Sequence, residues 1–236
     1  MVKAVVITPV KNAIETTLDT AKAISESDIK VKHIIFNDFS SEDTREKLEA
    51  NRAIFGYELI HLEDFVSKPS PNYDYVLQKG QSIALDEKLP MIIVESDVVV
   101  KKDTFSRLLD FLALNEKSGM IGAITVDEVG MTNFPYLKFK NEKKNVIQTE
   151  RSLSFCCTLI SLPLLKQFDL NRLERSKDWF DTTISKMSIN LGFRNFVLND
   201  VQVWHRPHGS RPWKQLKYTN PIKYYWQKFI LGRDKI

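Results

Sequence analysis

The sequence predicts an α/β fold, with a mainly parallel sheet flanked by helices. Three observations favour this class. Strand-like and helix-like segments alternate through the first half of the chain, the strand-like segments are apolar on both sides, and polar residues follow several of them directly. Such alternation is typical of βαβ units, and uniformly apolar strands are typical of a sheet covered by helices on both faces. The 236 residues are enough for one domain with a sizeable core.

The first half of the chain contains four predicted strands with three predicted helices between them. Runs of apolar and β-branched residues predict strands at 3–8, 31–36, 57–62 and 91–95. Near-helical spacing of apolar residues predicts helices at 14–24, from the turn NDFSSEDT to Gly56, and at 73–89. The strand MIIVE at 91–95 is expected to be central in the sheet.

The second half of the chain is less regular. The predicted elements are a helix capped by Asp103 or Thr104, strands at 120–126 and 153–162, a helix at 179–191 ended by Gly192, and a closing strand pair within 197–204. The polar stretch 127–152 fits neither pattern, and we expect it to form an active-site loop or a hairpin.

The composition indicates a cytosolic globular protein. No run approaches the roughly eighteen consecutive apolar residues that span a bilayer, and the N-terminus shows no cleavage site of a secreted protein. The only cysteines, Cys156 and Cys157, are neighbours in an apolar run, where a disulfide between them would be strained. They also lack the CxxC spacing of a metal site, so we interpret both as small buried core residues.

Residues 211–236 are predicted to form a basic, aromatic extension of a main domain at 1–210. Residues 206–236 hold eight Lys or Arg residues and one acid, so the net charge of +4 comes from this end of the chain. Its aromatic residues are Trp213, Tyr218, Tyr224, Tyr225, Trp226 and Phe229. We expect the extension to contact an anionic membrane surface, to bind an acceptor, or to pack on the domain. No motif indicates nucleic-acid binding.

Polar residues follow three of the predicted strands, which is where an open α/β sheet binds its ligand. These positions predict nucleotide contacts at Thr8, Pro9, Asn12, Asp38 and Ser96. Asp38 has an alternative role, as a turn residue that caps the next helix.

Lys79 is a further candidate for nucleotide contact. It precedes Gly80, a glycine within a helical pattern, which indicates close approach of either a ligand or a neighbouring strand.

Glu95 and Asp97 form a candidate metal site at the end of the central strand. In an extended chain alternate residues project to the same side, so the two carboxylates would face the same ligand. Two carboxylates suit a hard divalent cation such as Mg²⁺ or Mn²⁺, and that ion suits a diphosphate. The chain contains neither GxGxxG nor GxxxxGK[ST], so a diphosphate would need such an ion. The alternative is an acidic pair that merely ends a strand.

Five motifs in order resemble the inverting GT-A glycosyltransferases of family 2. They are VVITPVKN, FNDFSSEDT, VESDVVVKKDTF, KDWFDTTISKMSINLGFRN and VQVWHRPHG, and they cover about residues 3 to 210. The resemblance implies a GT-A fold with a small antiparallel part on the acceptor side. Three positions depart from the family pattern: Asn37 replaces the first Asp of the nucleotide turn, Phe39 its Gly, and Glu95 the first Asp of Asp-x-Asp.

By this resemblance, the nucleotide base contacts Asp38, and a metal bridging the donor diphosphate binds Asp97, with His205 completing that site. Asp181 or Asp178 is the general base, and helix capping is the alternative role of Asp181. The donor is a UDP- or GDP-sugar, the cofactor Mn²⁺ or Mg²⁺, and the acceptor a glycan or lipid-linked glycan in bacterial surface glycan synthesis. The implied place is the cytoplasm, with contact at the inner face of the membrane.

Two other function classes remain open. A sugar nucleotidyltransferase has a related sheet, although it would bring a Gly-rich basic N-terminal loop, which TPVKNA is not. The changed acids at Asn37 and Glu95 also fit a domain that binds a nucleotide or glycan without turnover. Turnover of a nucleotide-sugar would separate these classes.

Overall fold

The structure is a computed structural model that describes residues 1–173, 179–206 and 220–230. Within these ranges the strands are β1 (Val5–Val10), β2 (Lys32–Asn37), β3 (Glu58–His61), β4 (Met91–Val94), β5 (Val98–Val99), β6 (Ser118–Val126), β7 (Val146–Thr149), β8 (Cys157–Ile160) and β9 (Arg194–His205). The α-helices are α1 (Ile14–Ser25), α2 (Glu42–Phe55), α3 (Tyr73–Glu87), α4 (Thr104–Leu114), α5 (Leu162–Gln167), α6 (Phe180–Asn190) and α7 (Pro221–Ile230).

All nine strands join one mixed sheet, which confirms the predicted α/β class. The strand order is β3-β2-β1-β4-β8-β6-β9-β5, and β7 pairs with β9 outside this path. The strands β3, β2, β1 and β4 are parallel, as are β6 and β9, whereas β8, β7 and β5 run antiparallel to their neighbours. The antiparallel strands all belong to the second half of the sheet in this order.

Apolar side chains from both faces of the sheet form the core. Along β1, Ile7 joins the cluster under α3 and α5, while Val6 joins the cluster under α1 and α4. This is the pattern of a strand covered on both sides. Gly80 lies where α3 meets the sheet, since a Cβ there would lie 2.9 Å from both Ile7 and Met91. The sequence left open whether Gly80 allows close approach of a ligand or of a strand, and the described structure shows close approach of strands β1 and β4.

Most of the first-half boundaries agree with the sequence to within two residues, and α2 ends at Gly56 with a positive φ of 67°. The second half contains two corrections. The predicted strand 153–162 is only β8, because Ser161 caps α5 by accepting a hydrogen bond from the Leu164 amide. The predicted closing strand pair is one long strand, β9, because a register shift opposite Ala123 and Ile124 lets it continue along β6.

The stretch 127–152 is largely loop but is tied into the sheet. Its strand β7 pairs antiparallel with β9, and a short 3₁₀ helix spans Leu137–Phe139. The beginning of this stretch, directly after β6, is held at the end of β9 by a hydrogen bond, which the Asn133 side-chain amide donates to the His205 carbonyl at 2.9 Å.

Of the predicted extension, the structure describes the helix α7. Ile222, Tyr225 and Trp226 are exposed on it, while Tyr224 is buried. Trp213, Tyr218 and the side chain of Phe229 lie outside the described residues. None of the described helices is long and apolar enough to cross a bilayer. The division at residue 210 stays a prediction.

Candidate functional site

The carboxyl ends of β1, β2 and β4 meet at one edge of the sheet, and Glu95, Ser96 and Asp97 follow β4 there. The sequence predicted that these three residues continue as an extended chain, but the structure shows that they do not. The Val98 amide donates to the Glu95 carbonyl at 3.1 Å, and this closes a turn before β5. The turn, not strand alternation, therefore sets the directions of the two carboxylates.

His205 lies beside Asp97 because β5 and β9 pair antiparallel. Val98 is opposite His205, and the Arg206 amide donates to the Asp97 carbonyl at 3.0 Å. His205 Nε2 is 3.6 Å from Asp97 Oδ2, and both side chains are buried. On the other side of the ring, Nδ1 is 2.6 Å from the Phe134 carbonyl oxygen. Because a carbonyl only accepts, Nδ1 carries the hydrogen, and in the neutral ring Nε2 keeps its lone pair.

Cys156 completes a cluster that the sequence did not reveal. It directly precedes β8, and the Glu95 amide donates to its carbonyl at 3.1 Å, so the two residues are neighbours across the sheet. Its Sγ donates to Glu95 Oε2 at 3.2 Å. One ligand atom each from Glu95, Cys156 and His205 lie within 4.8 Å of one another. The interpretation of both cysteines as buried and unpaired is confirmed, but Cys156 also borders the acidic site.

The cluster concentrates buried negative charge. Burial raises the pKa of Glu95, the charges of Asp97 and Asp181 raise it further, and His205 only partly offsets them. Burial lowers the pKa of His205, but the carboxylates of Asp97 and Glu95 outweigh this effect, so the net pKa is raised. Burial also raises the pKa of Cys156 well above its usual value. A bound cation would relieve this repulsion.

Tyr73, at the start of α3, directs its hydroxyl toward the same cluster. Its ring stacks on Phe155 at 5.9 Å and on Phe180 at 6.4 Å between centroids. Burial, followed by the charges of Glu95 and Asp181, raises the pKa of Tyr73 well above its usual value. Among the described residues, no hydrogen-bond partner lies within reach of the buried Tyr73 hydroxyl oxygen. Nothing in the sequence marked this residue beyond its place at a helix start.

Asp181 lies in the first turn of α6, as predicted. Its Oδ1 accepts a hydrogen bond from the Thr182 amide at 2.7 Å. The helix dipole favours the ionised carboxylate at this position. Its charge contributes to the raised pKa of both Glu95 and Tyr73, so it lies near the cluster. The alternative base, Asp178, lies outside the described residues.

Asp38 is fixed by the loop before α3 rather than by the next helix. Its Oδ2 accepts hydrogen bonds from Ser70 Oγ at 2.8 Å and from the Asn72 amide at 2.9 Å, and its Oδ1 accepts from Asn72 Nδ2 at 2.7 Å. The cap of α2 is Ser41 instead, so the capping alternative for Asp38 does not match the structure. Asn12 links the first two loops, because its Oδ1 accepts from the Ser41 amide at 2.9 Å.

The remaining predicted nucleotide contacts occupy different environments. Thr8 has no exposed surface, and its hydroxyl forms a 3.0 Å hydrogen bond with His33 inside the sheet. Ser96 is buried in the turn after β4, whereas Pro9 and Lys79 are partly exposed, near the end of β1 and on α3 respectively. The structure thus brings Ser96 next to the metal candidates, whereas Thr8 lies inside the sheet and is not exposed to a ligand.

The donor atoms fit a divalent cation. Glu95 and Asp97 supply carboxylate oxygens, and His205 supplies a nitrogen whose ring is oriented by the Phe134 carbonyl, as is common for metal-bound histidines. Imidazole and carboxylate together suit Mn²⁺ and neighbouring transition ions. The predicted trio of metal ligands is therefore assembled at one place, and Cys156 adjoins it.

Comparisons with solved structures show that other proteins share this fold. No protein-family model matches the chain, and no curated protein matches it. The mannosyltransferase PcManGT from Pyrobaculum calidifontis, solved with GDP-Man and Mn²⁺, superposes with a TM-score of 0.69 at 15% identity, over 95% of this chain and 63% of that one.

Two further structures show the same likeness. TarS 1–349 from S. aureus with UDP-GlcNAc matches with a TM-score of 0.66 at 18% identity, over 87% of this chain and 59% of that one. GalNAc-T7 with UDP, GalNAc and Mn²⁺ matches with a TM-score of 0.65 at 12% identity, over 87% and 44%. The chain thus spans less than two thirds of each of these three structures. The sheet of this protein, with its flanking helices and its antiparallel half, is a GT-A fold.

Proposed function

We propose that this chain is a metal-dependent glycosyltransferase that moves a sugar from a nucleoside-diphosphate sugar to an acceptor hydroxyl with inversion. The observation that carries the proposal is the cluster of the partly exposed Glu95 with the buried Asp97 and His205, at the carboxyl edge of a GT-A sheet. Parallel α/β sheets bind ligands at this edge. The order of the five sequence motifs supports the inverting family 2 type.

Glu95, Asp97 and His205 would hold the metal. A bound Mn²⁺ or Mg²⁺ supplies charge neutralisation for the leaving nucleoside diphosphate. The PcManGT structure holds GDP-Man with Mn²⁺, and the GalNAc-T7 structure holds UDP with Mn²⁺, which supports this pairing of ion and nucleotide. Burial, and then the charge of Asp97, raises the pKa of Glu95, and a bound cation would offset that repulsion.

The donor nucleotide would lie along the loops after β1 and β2. Asn12, Pro9 and Asp38 border this edge, Ser96 lies beside the metal ligands, and Lys79 projects from α3 with a charge suited to a phosphate. Asp38 serves the nucleotide partly through the loop it holds, because Ser70 and Asn72 already donate to its carboxylate. UDP or GDP is the expected nucleotide.

Asp181 would act as the general base. As the acceptor oxygen forms its bond to the anomeric carbon, the bond from that carbon to the diphosphate oxygen breaks, and the hydroxyl proton passes to the Asp181 carboxylate. A single displacement of this kind inverts the anomeric centre. Asp181 lies in the first turn of α6, where the helix dipole favours the carboxylate form that accepts a proton. Asp178 is the alternative base.

The acceptor would be a glycan or a lipid-linked glycan, consistent with a role in surface glycan synthesis at the cytoplasmic face of a membrane. The exposed Ile222, Tyr225 and Trp226 on α7 support contact of the C-terminal extension with a membrane or a lipid. A liposome-flotation measurement with anionic and neutral vesicles tests this part separately.

The experiment is a screen of UDP- and GDP-sugars for metal-dependent release of the nucleoside diphosphate. We expect release by the wild-type protein with Mn²⁺ or Mg²⁺ and its loss with EDTA. Asp97→Asn should abolish the metal-dependent part. Asp181→Asn should lower kcat by about 10²- to 10⁴-fold, as for removal of a general base, with little change in nucleotide affinity.

Asp110→Asn is the matched control, because it makes the same chemical change at an exposed position on α4. Its activity should equal that of the wild-type protein. Release of pyrophosphate from a nucleoside triphosphate would identify a nucleotidyltransferase instead. Tight nucleotide binding without turnover of any sugar tested would support the non-catalytic alternative and contradict the proposal.

A further inference from the structure

We propose that Cys156 is a sulfur ligand of the metal at this site, so that the site prefers a first-row transition ion over Mg²⁺. The inference shares its metal site with the proposed function, but it concerns the ion alone and does not require turnover. Cys156 is one of three residues whose ligand atoms converge within 4.8 Å.

The observed separations match those of ligands on one ion. With metal–sulfur and metal–oxygen bonds of about 2.3 and 2.1 Å, two ligands lie about 3.1 Å apart at a right angle and about 3.6 Å apart at the tetrahedral angle. The Sγ of Cys156 and the Oε2 of Glu95 are 3.2 Å apart, within that interval. His205 Nε2 and Asp97 Oδ2 are 3.6 Å apart, which is too long for a hydrogen bond but compatible with a shared ion.

The backbone keeps Cys156 in this place. The Glu95 amide donates to the Cys156 carbonyl, and the next pair along, Val94 and Cys157, belongs to the β4–β8 ladder. Cys156 is therefore held opposite Glu95 by main-chain hydrogen bonds. Ser154 Oγ, 3.4 Å from its sulfur, adds a second polar neighbour. The surroundings of Cys156 are thus polar on the side of the site.

Cys157 provides the contrast within the same chain. Both cysteines belong to the apolar cluster on the α1 and α4 face, but burial is the only cause that raises the pKa of Cys157, to about 12. The described structure gives it no side-chain hydrogen bond. Both cysteines are buried, but the described structure gives polar side-chain neighbours to Cys156 alone, so the ligand role falls to Cys156.

The chemistry of sulfur decides the choice of ion. Mg²⁺ takes oxygen ligands and keeps much of its water, whereas thiolate favours zinc and related transition ions. When such an ion binds, the thiol proton of Cys156 is released to solvent and the sulfur lone pair forms the bond to the metal. No electron is transferred. A mixed set of oxygen, nitrogen and sulfur therefore favours Zn²⁺, Co²⁺ or Mn²⁺ over Mg²⁺.

The test is a titration of the metal-free full chain with Co²⁺, followed by absorbance and by calorimetry. A sulfur-to-cobalt charge-transfer band should grow to one equivalent in the wild-type protein. The Cys157→Ser protein should show the same band, and in it the band can only come from Cys156, since the chain has two cysteines. Cys156→Ser should lose the band and weaken Co²⁺ binding by at least the roughly 10- to 100-fold expected for a lost outer-shell partner.

Co²⁺ binding without a sulfur band in the wild-type and Cys157→Ser proteins would overturn the inference, as would absence of Co²⁺ binding. These two proteins suffice even where Cys156→Ser fails to fold. The result is separate from the proposed function. A sulfur band without turnover of any nucleotide-sugar would support Cys156 as a metal ligand and contradict the transferase proposal. Mg²⁺-dependent turnover without the band would support the transferase proposal and contradict the ligand role of Cys156.

Discussion

The buried His33 predicts a measurable loss of stability in mild acid. It lies in β2, its Nε2 pairs with the Thr8 hydroxyl at 3.0 Å, and burial lowers its pKa from 6.5 to about 3. Because the folded pKa lies below the unfolded one, the unfolded chain binds the proton first. The contribution of neutral His33 to the free energy of unfolding is complete above pH 6.5 and is lost as the pH falls from 6.5 toward 3. Between pH 7 and 5 the lost free energy of unfolding is about 2 kcal/mol.

His33→Gln is the variant that isolates this effect, because glutamine can still hydrogen-bond Thr8 but does not titrate. Urea unfolding of both proteins at several pH values gives their difference in free energy of unfolding. All other titrating groups are common to both, so that difference should shift by about 2 kcal/mol in favour of the variant between pH 7 and 5. A difference that stays constant across this range would refute the reasoning.

Three further changes test other parts of the structure. Asp38→Ala removes a carboxylate with three hydrogen bonds and should lower the free energy of unfolding by about 2 kcal/mol in urea, while an unchanged midpoint would show that the loop is held otherwise. Gly80→Ala should destabilise by about 1 kcal/mol, because crowding against Ile7 and Met91 exceeds the gain in helix propensity, and a raised Tm would contradict this. Tyr73→Phe should leave the free energy of unfolding unchanged or raise it, because the buried hydroxyl has no hydrogen-bond partner among the described residues. It should lower nucleotide-sugar turnover about tenfold, the equivalent of one hydrogen bond. Unchanged turnover would exclude contact between the Tyr73 hydroxyl and the substrate.

The acidic turn after β4 shows what the local sequence pattern can predict and what it cannot. An apolar run followed by two acids identifies a strand end with candidate metal ligands, and the structure brings Glu95 and Asp97 to the sheet edge. The same pattern did not give their directions, because the turn closed by Val98 replaces the extended chain. Hydrophobic pattern reports which segments are buried, whereas side-chain direction depends on one local hydrogen bond.

The long strand β9 and the short strand β8 mark the other boundary. The sequence contains apolar segments in both places, but their pattern does not give the strand ends, since Ser161 starts a helix and a register shift prolongs β9. These outcomes depend on partners tens of residues away. A short window of the sequence therefore contains no information on the energies of these long-range contacts.

Apolar periodicity and strand-end chemistry are local properties, so the amino-acid sequence predicts the α/β class, the elements of the first half of the chain and the position of acids after the central strand. No local signal indicates that β8 lies beside β4 or that β5 pairs with β9. Those two pairings bring Cys156 to Glu95 and His205 to Asp97. Strand pairing is selected by burial of the whole sheet, and the neighbours of a residue across the sheet are not encoded in its own segment.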